Sequence, residues 1–238
     1  MATVRLTKYG RREWAAATLV AAAGCGALAV MAWRMSWLCL LPAIPIVLVW
    51  LWVTWFFRDP DRTPPEEPGV FLSPADGTVS DVTPVGSDSA LGTDGVQVAV
   101  FMSIFNVHVN RAPCDGRIES IEHHRGTFLD LRKPQAASRN ESTTIRMTHT
   151  FGGRDHPVVV RQVAGLIARR IVTDITRGRT VRRGERIGMI KFGSRLELVV
   201  PDALAGEVCV AVGDKAVAGR TVLVAAPKGP RDGERAED

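Results

Sequence analysis

Three short stretches of this 238-residue chain hold side chains able to serve as nucleophile, base or orienting carboxylate. The segment 184–201 reads GERIGMIKFGSRLELVVP and puts Ser194 directly after Gly193. The segment 102–114 reads MSIFNVHVNRAPC and holds His108 and Arg111; the segment 73–77 reads SPADG and holds Asp76. A serine hydroxyl becomes a useful nucleophile once a base takes its proton. Histidine can take it near neutral pH, and a carboxylate can orient that histidine or hold its cation. By composition alone, Phe192-Gly193-Ser194 is a turn entering a strand, and Asp76 before Gly77 is an ordinary turn pair. Both readings stay open on these residues alone. His123, His124, His149 and His156 have no comparable setting and read as surface or loop histidines. Cys25, Cys39, Cys114 and Cys209 form no Cys-x-x-Cys or Cys/His cluster, so they read as buried free thiols and no metal is expected.

The elements that must position these groups are short. From Val70 onward, β-like runs alternate with glycine turns: Gly95–Phe101, Thr143–Met147, Pro157–Val163, Arg195–Val200 and Val208–Val212. Thr127–Ser138 and Leu166–Ile175 can hold short helices or loops, and Gly213–Val224 has the turn and strand character of a β-hairpin. The segment 58–69 (RDPDRTPPEEPG) carries four prolines and reads as a stiff linker. The expected fold is α+β and β-rich. A single catalytic domain spans 70–226, between the linker and a polar tail over 227–238.

Residues 1–57 are of another kind. Two apolar runs, Trp14–Trp33 and Met35–Phe57, are each about 20 residues long, enough to cross a bilayer core as helices. Arg34 breaks them, and Pro42 and Pro45 are expected to kink the second. A charged start before an Ala-rich run also fits a signal peptide, but the second apolar run argues for a retained two-helix anchor. One long re-entrant or interfacial element is the other reading. Arg5, Lys8, Arg11 and Arg12 precede the first run and Arg58 follows the second, which puts both ends in the cytoplasm and the turn at Arg34–Ser36 outside.

Composition narrows the partners. At 46% hydrophobic and 23% charged residues, the chain is neither disordered, collagen-like nor a disulfide-rich mini-protein. Of the net charge of +5, residues 1–57 supply +4. The body is nearly neutral, with 25 basic and 24 acidic groups interspersed. Its basicity belongs to the membrane flank, so nucleic acid is not an expected partner.

Taken together and in order, five stretches resemble phosphatidylserine decarboxylases, specifically their short bacterial and archaeal branch. They are Ser73–Gly77, Met102–Cys114, Asn140-Glu141, Gln162–Val172 and Gly188–Ser194 (GMIKFGS). The resemblance implies a self-processing enzyme. The Ser194 hydroxyl would attack the carbonyl carbon of Gly193, elimination would break the chain, and hydrolysis of the resulting dehydroalanine would leave a pyruvoyl group. Glycine leaves that carbonyl unhindered and permits unusual backbone angles. The keto carbonyl would condense with the substrate amine and take up the charge left when CO₂ departs, as pyridoxal phosphate does elsewhere.

The resemblance also assigns roles. Asp76 and His108 are expected to activate Ser194. Long-branch members carry two histidines three residues apart in this segment. The first matches His108, and Arg111 stands at the second, so His108 can serve either processing or the substrate. Arg111 and Arg195 are candidates for lipid phosphate. The expected partners are a membrane phospholipid and, after cleavage, a β chain of 1–193 with an α chain of 194–238; a homo-oligomer stays open. The location implied is the cell membrane, with the catalytic domain on the cytoplasmic side. Two alternatives remain: the same reaction on another serine-headed lipid such as archaetidylserine, or a tethered carrier module, since Lys215 in Asp-Lys-Ala resembles the lipoate-bearing lysine of lipoyl domains.

Overall fold

The computed structural model describes residues 4–131, 133, 135–166, 170–191 and 193–227. It divides into two compact units, Met1–Asp61 and Arg62–Asp238.

In the first unit, strand β1 (Val4–Leu6) leads into helix α1 (Arg11–Arg34), and helix α2 (Ala43–Phe56) leads into strand β2 (Arg58–Pro60). A 3-10 turn over Trp37–Leu40 joins the helices, with the Ser36 hydroxyl accepting from the Leu38 amide. Pro42 is the N-cap of α2 and Pro45 sits in its first turn. The N–H groups there have no intrahelical acceptor, so neither proline removes a helical bond or needs to kink the helix, as the sequence had suggested.

The helices run antiparallel and are zipped by reciprocal bonds. Trp14 Nε1 donates to Thr54 Oγ1 (3.1 Å) and Trp50 Nε1 to Thr18 Oγ1 (3.0 Å). The threonines donate to the carbonyls of Trp50 (2.9 Å) and Trp14 (2.8 Å), so each indole finds the partner it needs in apolar surroundings. Leu19, Val20, Trp33, Leu48 and Val49 point outward and are exposed. The stretches Lys8–Arg34 and Trp37–Phe56 are long and apolar enough to cross a membrane. Arg34 ends α1, its guanidinium over the Trp33 ring. β1 and β2 pair antiparallel, so the proline-rich segment begins as a strand.

Among its described residues, the second unit is built of strands, one short α-helix and a 3-10 turn over Asp202–Leu204. In chain order they are β3 (Val70–Leu72), β4 (Gly77–Val85), β5 (Gly95–Met102), β6 (Val109–Arg111), β7 (Gly116–His124), α3 (Ala136–Arg139), β8 (Ser142–Phe151) and β9 (Arg154–Ala164). Then come β10 (Ile171–Thr173), β11 (Thr180–Val181), β12 (Arg186–Ile190), β13 (Ser194–Pro201), β14 (Glu207–Val208), β15 (Lys215–Ala216) and β16 (Val222–Ala225). One antiparallel sheet has eight strands in the order β11-β7-β8-β9-β13-β5-β4-β15, and two smaller sheets run β10-β12-β6 and β14-β16-β3. The β-rich α+β class expected from the sequence is the class found.

Period-two alternation decides which side chains meet. On β13, Leu196, Leu198 and Val200 point into the main core, opposite Val100, Val98 and Val96 of β5. Gln162 on β9 faces the same way, and the β10-β12-β6 sheet covers that face: Gln162 Nε2 donates to Asn110 Oδ1 of β6 (2.8 Å), and Thr173 Oγ1 of β10 donates to Gln162 Oε1 (2.9 Å).

Four of the five expected strands appear, each longer than expected: β5 and β13 by one or two residues, β9 by four, and β8 at twice the expected length. The fifth, Val208–Val212, is a strand only at its start. Gly213–Val224 does not form a hairpin, because β15 pairs with β4 while β16 pairs with β3 and β14. Thr127–Ser138 contains the start of α3, and Leu166–Ile175 contains β10. Residues 167–169 of the latter, Phe192 of the Gly-Ser turn, and 228–238 of the tail lie outside the described residues.

Candidate active site

Ser194 opens β13, a strand with neighbours on both sides, and pairs with Met102 of β5 and Ala164 of β9. It is fully buried, on the face that carries Leu196. Gly193, just before it, has a φ of +64°, in the left-handed region open mainly to glycine. A side chain there would meet nothing within 4 Å, so conformation and not crowding calls for glycine.

Gly193 is held on both sides, at its own N–H and at its own carbonyl. Its neighbour on the amide side is His108, whose Nε2 accepts from the Gly193 N–H at 3.3 Å. His108 is fully buried, and its Nδ1 lies 2.9 Å from the Asn106 carbonyl oxygen. A carbonyl only accepts, so Nδ1 carries the proton and the neutral ring keeps a lone pair on Nε2, aimed at Gly193. The Asn106 side chain holds that loop by accepting from the amide (2.9 Å) and hydroxyl (2.8 Å) of Ser103. On the carbonyl side, Gly193 O lies against Gly165, where an added Cβ would come within 2.3 Å of it. The Ser194 hydroxyl faces Met102 Sδ at 3.9 Å.

Asp76 leaves β4 at the same end of the sheet as Ser194. Thr78 pairs with Phe101 and Phe101 with Arg195, which sets the two backbones two strand spacings, or about 10 Å, apart. Its carboxylate is held by Arg62 in a two-pronged pair, with Nη2 to Oδ2 at 2.7 Å, and by the Ala218 amide at 2.8 Å. Arg62 Nη1 also donates to the Ala218 carbonyl (2.8 Å). The three residues form a knot from distant parts of the chain.

The other candidates separate. Arg111 is buried and donates to the Gly184 carbonyl at 2.9 Å. Arg195 follows Ser194 and therefore points to the opposite face of the sheet. There it pairs with Glu197 (2.9 Å) and Asp81 (3.4 Å), beside a cavity of about 590 Å³ that Lys133 also lines. Lys215 is exposed and donates to Thr78 Oγ1 at 2.8 Å, from a strand and not from a hairpin tip. Among the described residues, no three His, Cys, Asp or Glu side chains gather as a metal ion would require.

Known proteins decide the family. Residues 50–224 match the family model described as phosphatidylserine decarboxylase. A phosphatidylserine decarboxylase proenzyme of Paramagnetospirillum magneticum is 41% identical over 192 residues, covering 79% of this chain and 78% of the relative. The proenzyme of Oleidesulfovibrio alaskensis is 40% identical over 209 residues, 88% of this chain and 93% of the relative. That of Nitrosomonas europaea is 44% identical over 181 residues, with 76% and 81% covered. The chain belongs to the phosphatidylserine decarboxylase family.

The protein is thus a decarboxylase, and its structure adds residues that sequence reading left without a role. Arg62 sits inside a stretch read as linker, and nothing in its neighbours tells of Asp76. Gly165 lies inside the Gln162–Val172 block, where nothing in its neighbours tells of Gly193. Asn140, which the sequence marks only as part of a family block, is buried and joined by hydrogen bonds to Thr127, Leu129 and Ala164. Contacts across the sheet carry these roles, and local spacing does not encode them.

Proposed function

We propose that this decarboxylase acts on phosphatidylserine, releasing CO₂ and leaving phosphatidylethanolamine, and that it generates its own pyruvoyl cofactor by cleaving itself between Gly193 and Ser194. The observation that carries the reading is the join itself: a left-handed glycine, a buried serine at a strand start, and a neutral histidine whose Nε2 accepts from the N–H of that glycine.

The chemistry follows from those groups. With a base to take its proton, Ser194 Oγ adds to the Gly193 carbonyl carbon and the peptide bond becomes an ester. Loss of the Ser194 α-proton then expels the Gly193 carboxylate, which ends the β chain at 193. The dehydroalanine left at 194 takes up water and loses ammonia to give the pyruvoyl group. The surroundings fit a small uncharged carbonyl group, since Met102 and Ala164 flank residue 194 across the ladder and His108 lies close by. Once present, that group supplies the electron sink that loss of CO₂ from an amino acid needs. Of the described residues, His108 is the first candidate to hold or move a proton there, since its Nε2 faces the Gly193 amide, and Asp76 is the second candidate for processing. Arg111 and Arg195 remain candidates for the lipid phosphate.

The two pieces have reason to stay together. β13 is paired on one edge with β9 and on the other with β5, both from residues 1–193, and β15 and β16 pair with β4 and β3. The apolar helices of the first unit would hold the enzyme in the membrane where its substrate lies, with the basic residues before α1 and Arg58 after α2 on the cytoplasmic side.

Intact mass of the purified protein is the test. The expected result is two chains, 1–193 and 194–238, with Ser194→Ala full length and inactive. A wild-type chain that stays whole and active overturns the reading.

A further inference from the structure

We propose that Gly165 is a positioning residue for self-cleavage: its bare Cα is the floor on which the Gly193 carbonyl rests, and Asn140 fixes that floor. The inference rests on reading Gly193–Ser194 as the cleaved bond.

Two glycines meet here for different reasons. Gly193 needs its freedom of φ, at +64°. Gly165 is not among the glycines of positive φ, so its backbone alone would admit a side chain. What excludes one is the approach of Gly193, whose carbonyl oxygen would lie 2.3 Å and carbonyl carbon 3.2 Å from a Cβ on Gly165. Carbon–oxygen contacts settle at about 3.3–3.6 Å, so a methyl group must push that carbonyl by roughly 1 Å. It is the carbonyl that Ser194 attacks.

The floor is held from behind. Ala164, the residue before Gly165, donates its amide to the Glu141 carbonyl (2.9 Å), and its carbonyl accepts from Asn140 Nδ2 (2.8 Å). The same Nδ2 donates to the Leu129 carbonyl, and Asn140 Oδ1 accepts from the Leu129 amide, both at 2.8 Å. Ala164 is also the cross-strand partner of Ser194. Nucleophile and carbonyl are therefore referenced to adjacent residues of one strand end, and Asn140 sets that end. Attack of a neighbouring hydroxyl needs this, because reach and angle are fixed before any bond forms.

The test follows cleavage of full-length chain over time on a gel, in wild type, Gly165→Ala and Asn140→Asp. Displacement by roughly 1 Å is expected to slow cleavage of Gly165→Ala by about a hundredfold. The chain that accumulates should be the amide and not the ester, so neutral hydroxylamine should leave it whole. Asn140→Asp keeps the side-chain volume and removes both Nδ2 donations; slowed cleavage in folded chain is expected there too, and this variant carries the test should Gly165→Ala unfold. Wild-type cleavage rates in folded Gly165→Ala or in Asn140→Asp, or hydroxylamine-labile ester in the arrested chain, overturn the inference while the cleavage reading stands. A wild-type chain that never cleaves removes the reading and the inference with it.

Discussion

His108 Nε2 and the amide nitrogen of Gly193 lie 3.3 Å apart, although 85 residues separate them in the chain. The contact places a proton acceptor one peptide unit from the Ser194 hydroxyl. A positioned base is worth roughly a hundredfold to ten-thousandfold. His108→Ala is accordingly expected to accumulate uncleaved chain, with the 1–193 fragment appearing at least about a hundredfold more slowly on a gel. Normal cleavage with lost decarboxylase activity would move His108 to the substrate step. Normal cleavage together with normal turnover would remove it from the site.

The Asp76–Arg62 pair makes a prediction about stability. The two side chains are only 13% and 8% exposed, so removing one partner leaves a nearly buried charge. Breaking such a pair costs about 3 kcal/mol or more, whereas replacing both partners costs less than the sum. In a Ser194→Ala background, where the chain stays in one piece, Arg62→Met and Asp76→Asn should each lower the denaturation midpoint clearly. The double variant should show a coupling of about 2 kcal/mol or more. Additive effects would mean that the pair contributes nothing beyond its separate contacts.

How far these relationships can be read from sequence depends on their range. Strands such as β5 and β13 declare themselves, because one face meets the core and every second residue is apolar. Ser194 stands out because Gly193 and a strand follow directly on each other. The hairpin expected over 213–224 fails for a physical reason: alternation specifies a strand but not its partner, and Lys215–Ala216 and Val222–Ala225 join different sheets. The knot of Arg62, Asp76 and Ala218 spans 156 residues between Arg62 and Ala218. Proline-rich surroundings hide such an arginine. The separation of Arg195 from Ser194, in contrast, follows from strand geometry alone once Ser194 is known to begin β13.

Cys114 gives a pH prediction. Burial is the main cause pushing its thiol far above the ordinary value of 9.0, with Asp115 adding to the rise and Arg183 opposing it. The folded chain therefore keeps the thiol protonated at pH values where the unfolded chain ionises. This contribution is fully present below about pH 9 and falls as pH rises past it, by about 1.4 kcal/mol per pH unit. Denaturation midpoints of the Ser194→Ala chain, taken from about pH 8 to about pH 10.5, should drop more steeply than those of the same chain carrying Cys114→Ala. Parallel slopes would show that Cys114 ionises as readily when folded as when unfolded.

Topology gives the remaining prediction. α1 and α2 are antiparallel and tied by Trp14–Thr54 and Trp50–Thr18, so residues near the start of α1 and the end of α2 lie at the same end of the pair. Arg5 and Lys8 precede α1, Arg11 and Arg12 open it and Arg58 follows α2, while Arg34 alone stands near the connecting turn. Basic residues within a short loop of a membrane helix favour the cytoplasmic side, and four or five against one is a strong bias. In sealed right-side-out vesicles, tags at either terminus should resist added protease, and a tag inserted at Ser36 should be cut. Moving the bias tests its cause: adding lysines beside Ser36 while neutralising Arg11 and Arg12 should turn part of the population over and expose the termini. Termini that are accessible in the unaltered protein would place the catalytic unit on the outer face, and a Ser36 tag protected together with both termini would mean that the helices do not cross the membrane.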